Sequence, residues 1–128
     1  RISQIHVTEE ARHLAFARQF LRRRVPALSP TKKVRLAIAA PLILGRMARM
    51  MMQPSGAVIR RWAIPESVIA EAYTHNYETR KRRLAATEKV RALCVELGIA
   101  TPASRRLWGA WGLWPSERES AEFGFRIA

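Results

Sequence analysis

Three side chains that can bind a metal ion recur at helical spacing near the start of the sequence: His6, Glu10 and His13. No Gly or Pro interrupts this stretch before Pro26, and its residues favour helix. Because positions i, i+4 and i+7 lie on one face of a helix, the two imidazoles and the carboxylate are predicted to converge. Nitrogen and oxygen ligands in this combination suit iron, zinc or manganese.

Two further observations bear on this metal-binding face. Glu9 and Arg12 lie off it by about 100° per residue, which predicts a solvated ion pair that supports the helix. A second spacing, Glu71 with His75 and then Glu78, offers another carboxylate and imidazole. We interpret His75 as an ordinary residue of a helix or linker. Both spacings also arise by chance, so spacing alone leaves metal binding and an accidental pattern open.

The stretch from Ile5 to Ala17 resembles the last metal-binding helix of the p-aminobenzoate N-oxygenase family. The resemblance implies a ferritin-like di-iron oxygenase that uses O2 to oxidise an aromatic amine or a similar small molecule. It implies that Glu10 bridges the two irons and that His6 and His13 are terminal ligands on one of them. It also implies a homodimer, and an electron donor that the sequence does not identify.

The ligand set of that family is incomplete in this sequence. A further Glu, a Glu-x2-His pair and another Glu are expected upstream of residue 6, and residues 1–5 contain no carboxylate or histidine. We therefore expect the chain to be the C-terminal part of a longer oxygenase, carrying part of a di-iron site. A truncated, inactive remnant is the alternative.

The charge of the chain suggests a different class of function. The 128 residues carry 23 Lys and Arg against 10 Asp and Glu, a net charge of +13. Such a balance is typical of nucleic-acid binding, and the basic runs 22–24 and 80–83 would then carry it. A solvated basic face, attraction to an anionic membrane surface, steering of a carboxylate substrate or compensation by an acidic missing part would each accommodate the same charge. A basic helical nucleic-acid-binding module is the competing hypothesis.

The single cysteine and the apolar runs bound the cellular environment. Cys94 excludes an internal disulfide and fits a reducing cytoplasm. Its neighbours Leu93 and Val95 predict an apolar packing position. The longest apolar run, 37–44, contains Pro41 and is too short to cross a membrane. We expect a cytoplasmic protein without a membrane span.

No stretch shows the alternation of a strand, so the predicted fold class is all-α. We expect the C-terminal part of a ferritin-like di-iron helical bundle with peripheral helices, forming a single domain or a C-terminal fragment of one. Its predicted segments are a metal-ligand helix (1–24), a buried helix bent at Pro41 (29–53), a basic helical region (65–97) and a Trp-rich tail (101–128).

The tail repeats tryptophan every third residue, at Trp108, Trp111 and Trp114. This spacing predicts an apolar patch that docks the tail onto the body or onto a second subunit. An aromatic box for a substrate is the alternative. Phe123 and Phe125 are expected to help order the end of the chain.

Overall fold

The computed structural model describes the backbone of residues 2–124 and the side chains of residues 6–124. Throughout this part of the chain the regular structure is helical, which confirms the all-α prediction and agrees with a ferritin-like helical fold. The helices are α1 (Ile2–Arg24), α2 (Pro30–Met52), α3 (Gly56–Arg61), α4 (Glu66–Ile69, continued by a π-helical turn at Ala70–Thr74), α5 (Tyr77–Glu96), α6 (Pro102–Ala110) and α7 (Glu117–Phe123).

Local sequence signals set most of the helix boundaries. Ser29 is extended and precedes a proline at the start of α2, a position where the missing N–H costs nothing. The Thr101 hydroxyl accepts a hydrogen bond from the Ser104 backbone N–H and so caps α6. After α5 the chain turns through Gly98 at φ 68°, a left-handed conformation that favours glycine.

The predicted basic helical region 65–97 contains two separate helices, α4 with its π-helical turn and α5. His75 donates its backbone N–H to the carbonyl of Ala70, which closes a wide π-helical turn at the end of α4. Asn76 then leaves the helical conformation, and its side-chain oxygen accepts a hydrogen bond from the Thr79 N–H at 2.9 Å. The polar residues at this junction therefore end one helix and cap the next.

The core lies where the end of α1, α2, the end of α5 and α6 meet. Trp108 and Leu113 are completely buried, and a ring of half-buried apolar side chains surrounds them. The buried members of this cluster are Val25, Ala37, Cys94, Ile99, Ala100, Trp108 and Leu113. The contact between α2 and α6 is the most extensive contact between separate helices in the described part of the chain.

The helix predicted to be buried, α2, has one buried face and one open face. Ala37, Pro41 and Gly45 are buried against α6 and its neighbours. On the rest of the helix, large apolar side chains face solvent: Val34, Ile38, Leu42, Ile43, Met47, Met50 and Met51. The sequence pattern marks these positions as apolar, but the described helices pack on one side only.

The tryptophan repeat docks the tail onto the body, as one of the two interpretations predicted. Trp108 is buried, and Trp114 meets it edge-on with ring centroids 6.2 Å apart. The Arg105 guanidinium lies 4.7 Å above the Trp114 ring. Arg91, itself buried, donates to the Leu113 carbonyl at 3.1 Å. These contacts connect α5, α6 and the turn that follows α6.

The last described helix, α7, has a capping box at its start. The Ser116 hydroxyl accepts from the Glu119 N–H, and the Glu119 carboxylate accepts from the Ser116 N–H. At its other end the Phe123 ring packs edge-on against Tyr77, with centroids 5.2 Å apart. Phe125 lies outside the described residues.

Candidate metal centre

Helix α1 carries the candidate ligands and is attached to the body by its last turns. Leu21 is half-buried against the core, and Val25, directly after the helix, is 2% exposed. The Arg22 guanidinium donates two hydrogen bonds to the Glu96 carboxylate, at 2.7 and 2.9 Å. This ion pair holds the end of α1 beside the end of α5. Residues 6–20, in contrast, are all exposed.

Two of the three predicted ligands lie together on this exposed segment. The Nε2 atom of His6 is 3.8 Å from Oε1 of Glu10, and their side chains are 75% and 58% exposed. His13 is also exposed and follows Glu10 by three residues. Among the described residues, no three His, Cys, Asp or Glu side chains are close enough to form a metal-binding group. The spacing therefore brings His6 and Glu10 together but does not gather all three.

The pair predicted to lie off the ligand face is present. Arg12 Nη1 donates to Glu9 Oε1 at 2.9 Å, and both side chains are solvated. Since this pair is one residue away from each neighbouring candidate ligand, it occupies a different face of α1. Substitution of Glu9 is therefore a suitable control for substitution of Glu10.

The ligand face continues towards the core. Ala17 and Leu21 lie seven and eleven residues after Glu10, so at 3.6 residues per turn they occupy the same side of α1. Leu21 is the member of this side that packs against the core. Helices that pack on the ligand face of α1 would therefore lie next to the core of the described chain.

The donors on α1 fit one helix's contribution to a pair of iron ions. Imidazole nitrogen and carboxylate oxygen are ligands that iron accepts, and ferritin-like centres take both types from a single helix. The rest of the described chain does not complete the set, since Glu71, His75 and Glu78 join no group of three potential ligands. His75 is exposed at the junction after the π-helical turn.

A basic cavity lies between α2, α5 and α6, and the sequence patterns did not predict it. Arg49, Arg80 and Arg83 line this cavity, whose volume is about 220 Å³. The signal in the sequence is the i, i+3 spacing of Arg80 and Arg83, which places them on the same side of α5. Both are partly buried, whereas Lys81 and Arg82 between them are exposed. The run 80–83 is thus divided between a cavity and the surface.

The structure also bears on Cys94 and on whether a helix could span a membrane. Cys94 is buried, and burial raises the pKa of its thiol to about 11, as befits an unreactive apolar packing position. Among the described residues no helix is long and apolar enough to cross a membrane.

Comparisons with known proteins identify a family that matches most of the chain. The family model described as P-aminobenzoate N-oxygenase AurF matches residues 1–98. An uncharacterized protein of Mycobacterium tuberculosis is 32% identical over 108 residues, which are 84% of this chain and 32% of that protein. A counterpart in Mycobacterium bovis is 31% identical over the same shares of the two chains. No solved structure matches the chain.

These findings define the chain first as an all-α chain that agrees with a ferritin-like helical fold. More specifically, it belongs to the p-aminobenzoate N-oxygenase (AurF) family, and this confirms the resemblance seen on α1. The chain spans about a third of the length of the curated relatives it matches. The family has a di-iron centre in general.

Proposed function

We propose that this chain supplies one ligand helix to the di-iron centre of an oxygenase that oxidises an aromatic amine or a similar small molecule with O2. The observation that carries the proposal is the His6–Glu10 contact on α1 within a chain of the AurF family. In this proposal Glu10 would hold the iron pair through its carboxylate, and His6 and His13 would each hold iron through a ring nitrogen. The bound iron pair would supply the activation of O2.

The exposure of α1 supports a site that is completed by other helices. Val7 and Leu14 are 66% and 54% exposed, and both lie within about 100° of Glu10 around the helix. An apolar border around polar ligands is what a bundle interior requires, because it excludes water once neighbouring helices pack on it. We therefore propose that the remaining ligands come from a part of a longer protein that packs on this side of α1.

The attachment of α1 gives its ligands a defined position. The Arg22–Glu96 ion pair and the buried Val25 fix the end of the helix, and the regular helix transmits that position to Glu10 and His6. The spare ring N–H of each histidine needs an acceptor to orient the imidazole. We propose that those acceptors lie on the helices that complete the bundle.

The competing hypothesis of a basic nucleic-acid-binding module gains no specific support from the structure. Arg80 and Arg83 of the densest basic run are turned towards the cavity, and Arg22 is paired with Glu96. Its remaining basis is the net charge of +13 together with the exposed Arg23, Arg24, Lys81 and Arg82.

The activity is tested in a longer protein, in which this chain is joined to the part of a relative's sequence that it does not cover. The purified, Fe(II)-loaded protein is supplied with O2, a reductant and p-aminobenzoate, and N-oxygenated product is measured by mass spectrometry. We expect Glu10→Ala to reduce product formation at least about a hundredfold, since loss of a metal ligand removes the centre.

The matched control is Glu9→Ala, which removes a carboxylate from the neighbouring face of the same helix. We expect this variant to retain activity, because it loses only a solvated ion pair with Arg12. Equal activity of Glu10→Ala and the unsubstituted protein would overturn the proposed role of Glu10.

A further inference from the structure

The basic cavity between α2, α5 and α6 is lined by three arginines and by several small residues. Gly109, Ala110 and Gly112 form the side contributed by the end of α6 and the following turn. Arg49 comes from α2, and Arg80 and Arg83 come from α5. Elements distant in sequence thus bring three guanidinium groups to one small space.

Two of these guanidinium groups converge on the backbone of Gly112. The point that a Cβ atom on Gly112 would occupy lies 2.9 Å from Arg83 Nη1 and 3.3 Å from Arg80 Nη1. Gly112 has φ +66°, so glycine suits this turn both by its backbone and by the space it leaves to the arginines. Both nitrogens therefore approach the same point on the cavity wall.

The three arginines have more positive charges than carboxylate partners in the described part of the chain. Arg80 donates from Nε and Nη2 to the Glu119 carboxylate, and Arg83 donates from Nη2 to the Tyr73 carbonyl at 2.9 Å. Arg49 lies 5.6 Å above the Trp111 ring. Among the described residues, Glu119 is the one carboxylate paired with any of the three arginines. Within that part of the chain, two positive charges therefore remain without a partner of opposite sign.

The repulsion within the cluster is visible in the properties of Arg83. Burial lowers the pKa of its guanidinium, and the positive charges of Arg80 and Arg49 lower it further. An anion in the cavity would offset the second effect, because it would attract all three positive groups while they still repel one another.

We propose that this cavity binds a phosphate group, either as inorganic phosphate or as the terminal group of a small phosphate ester. A phosphate ester carries about −1.5 to −2 charges at pH 7, which matches the two uncompensated positive charges. The planar fork of an arginine also fits two oxygens of one phosphate. The Thr74 hydroxyl and the Gln53 amide line the same cavity and can add neutral hydrogen bonds.

The size of the cavity favours a small ligand over a polymer. Its volume of about 220 Å³ is below the range of roughly 300–1,000 Å³ that is typical of sites for drug-sized molecules. A nucleic-acid strand needs a basic groove that follows its backbone over several nucleotides. Here Arg80 and Arg83 point into the cavity, while Lys81 lies 5.5 Å from the Phe123 ring on another side of α5.

The test is a titration of the full 128-residue chain with inorganic phosphate at low ionic strength, followed by calorimetry and by ³¹P NMR. Arg83→Gln and Arg49→Gln each remove one cavity charge. Arg82→Gln and Arg46→Gln remove an exposed charge from the same two helices and are the matched controls. We expect the cavity variants to weaken phosphate binding about tenfold or more, since each loses a charged hydrogen bond. The controls should stay within about twofold.

The outcomes separate the proposal from its competitors. Equal weakening by Arg82→Gln and Arg83→Gln would show attraction to overall charge and overturn a built site. Benzoate binding as tightly as phosphate would overturn the phosphate assignment in favour of a carboxylate. A single-stranded oligonucleotide that binds tightly and depends on Arg82 would overturn it in favour of nucleic acid. If Arg83→Gln does not fold, the exposed Arg49→Gln decides the result. A small phosphate ester that competes with inorganic phosphate at a one-to-one ratio would support the same site.

Discussion

Glu119 links α7 to α5 through separate contacts of one carboxylate. It pairs with Arg80 on α5, and it accepts the Ser116 N–H in the capping box of α7. The hydrogen bond from Arg80, followed by those with Ser116, lowers the pKa of Glu119 to about 2. The Glu119 side chain is 17% exposed, so solvent screens these contacts only in part.

We expect Glu119→Gln to lower the free energy of unfolding at pH 7 by about 1–2 kcal/mol, through loss of the ion pair and weakening of the cap. Because the folded-state pKa is depressed from 4.5, this stabilisation is complete above pH 4.5 and is lost as the pH falls towards 2. Urea unfolding of both proteins at pH 7 and near pH 2 measures the difference. Glu117→Gln, in the same first turn, is the control. A difference that does not shrink at the lower pH would contradict the assignment.

At the scale of residues, the sequence predicts local pairs and not distant ones. The Glu9–Arg12 pair and the His6–Glu10 contact follow from helical spacing, because three or four residues bring side chains together. The Arg80–Glu119 pair spans 39 positions and depends on how α7 returns to α5. No periodicity carries that information, and the arginine cavity was missed for the same reason.

Among the elements, α2 and α6 approach each other at Gly45. A Cβ atom added there would overlap Cγ and Cδ2 of the Trp111 ring, so the glycine provides the space that the tryptophan fills. Arg49, one turn later on α2, lies above the same ring. The glycine therefore serves close packing within a helix, not a turn.

We expect Gly45→Ala to destabilise the chain by about 1–3 kcal/mol, because the two helices must separate or the Trp111 ring must move. Gly109→Ala is the control, since Gly109 lies within α6 and a Cβ atom there meets no neighbour within 4 Å. That control should instead stabilise the chain by about 0.5–1 kcal/mol by favouring helix. Thermal unfolding of the two variants measures both signs. Stabilisation by both substitutions would contradict the close approach.

Helix boundaries show how far local signals extend. Thr101, followed by proline, caps the start of α6, and Gly98 turns the chain after α5; both are local signals, since caps depend on nearby residues alone. The π-helical turn at Ala70–Thr74 was not predicted. Its sequence is compatible with an ordinary helix, so no local pattern marks the wider turn.

For the whole molecule, the main feature is an exposed apolar surface on α1 and α2. Phe16 and Met51 are 71% and 81% exposed, which is unusual for such large side chains in a folded body. Since the chain spans 32% of the length of its relatives, we propose that further helices of a longer protein cover this surface. Apolar periodicity marks such faces in a sequence, but it does not record which helices pack on them.

We propose that α1 contributes three ligands, His6, Glu10 and His13, to a di-iron centre. This proposal predicts the metal content of the protein directly. The decisive quantity is the iron content after anaerobic loading with Fe(II). It is measured in a longer protein, in which this chain is joined to the part of a relative's sequence that it does not cover. We predict about two irons per chain, and far less in His6→Ala, Glu10→Ala and His13→Ala. Glu9→Ala and His75→Ala should retain the full content. An unchanged iron content in the three ligand variants, or an equal loss of iron in the two controls, would show that α1 does not hold the metal.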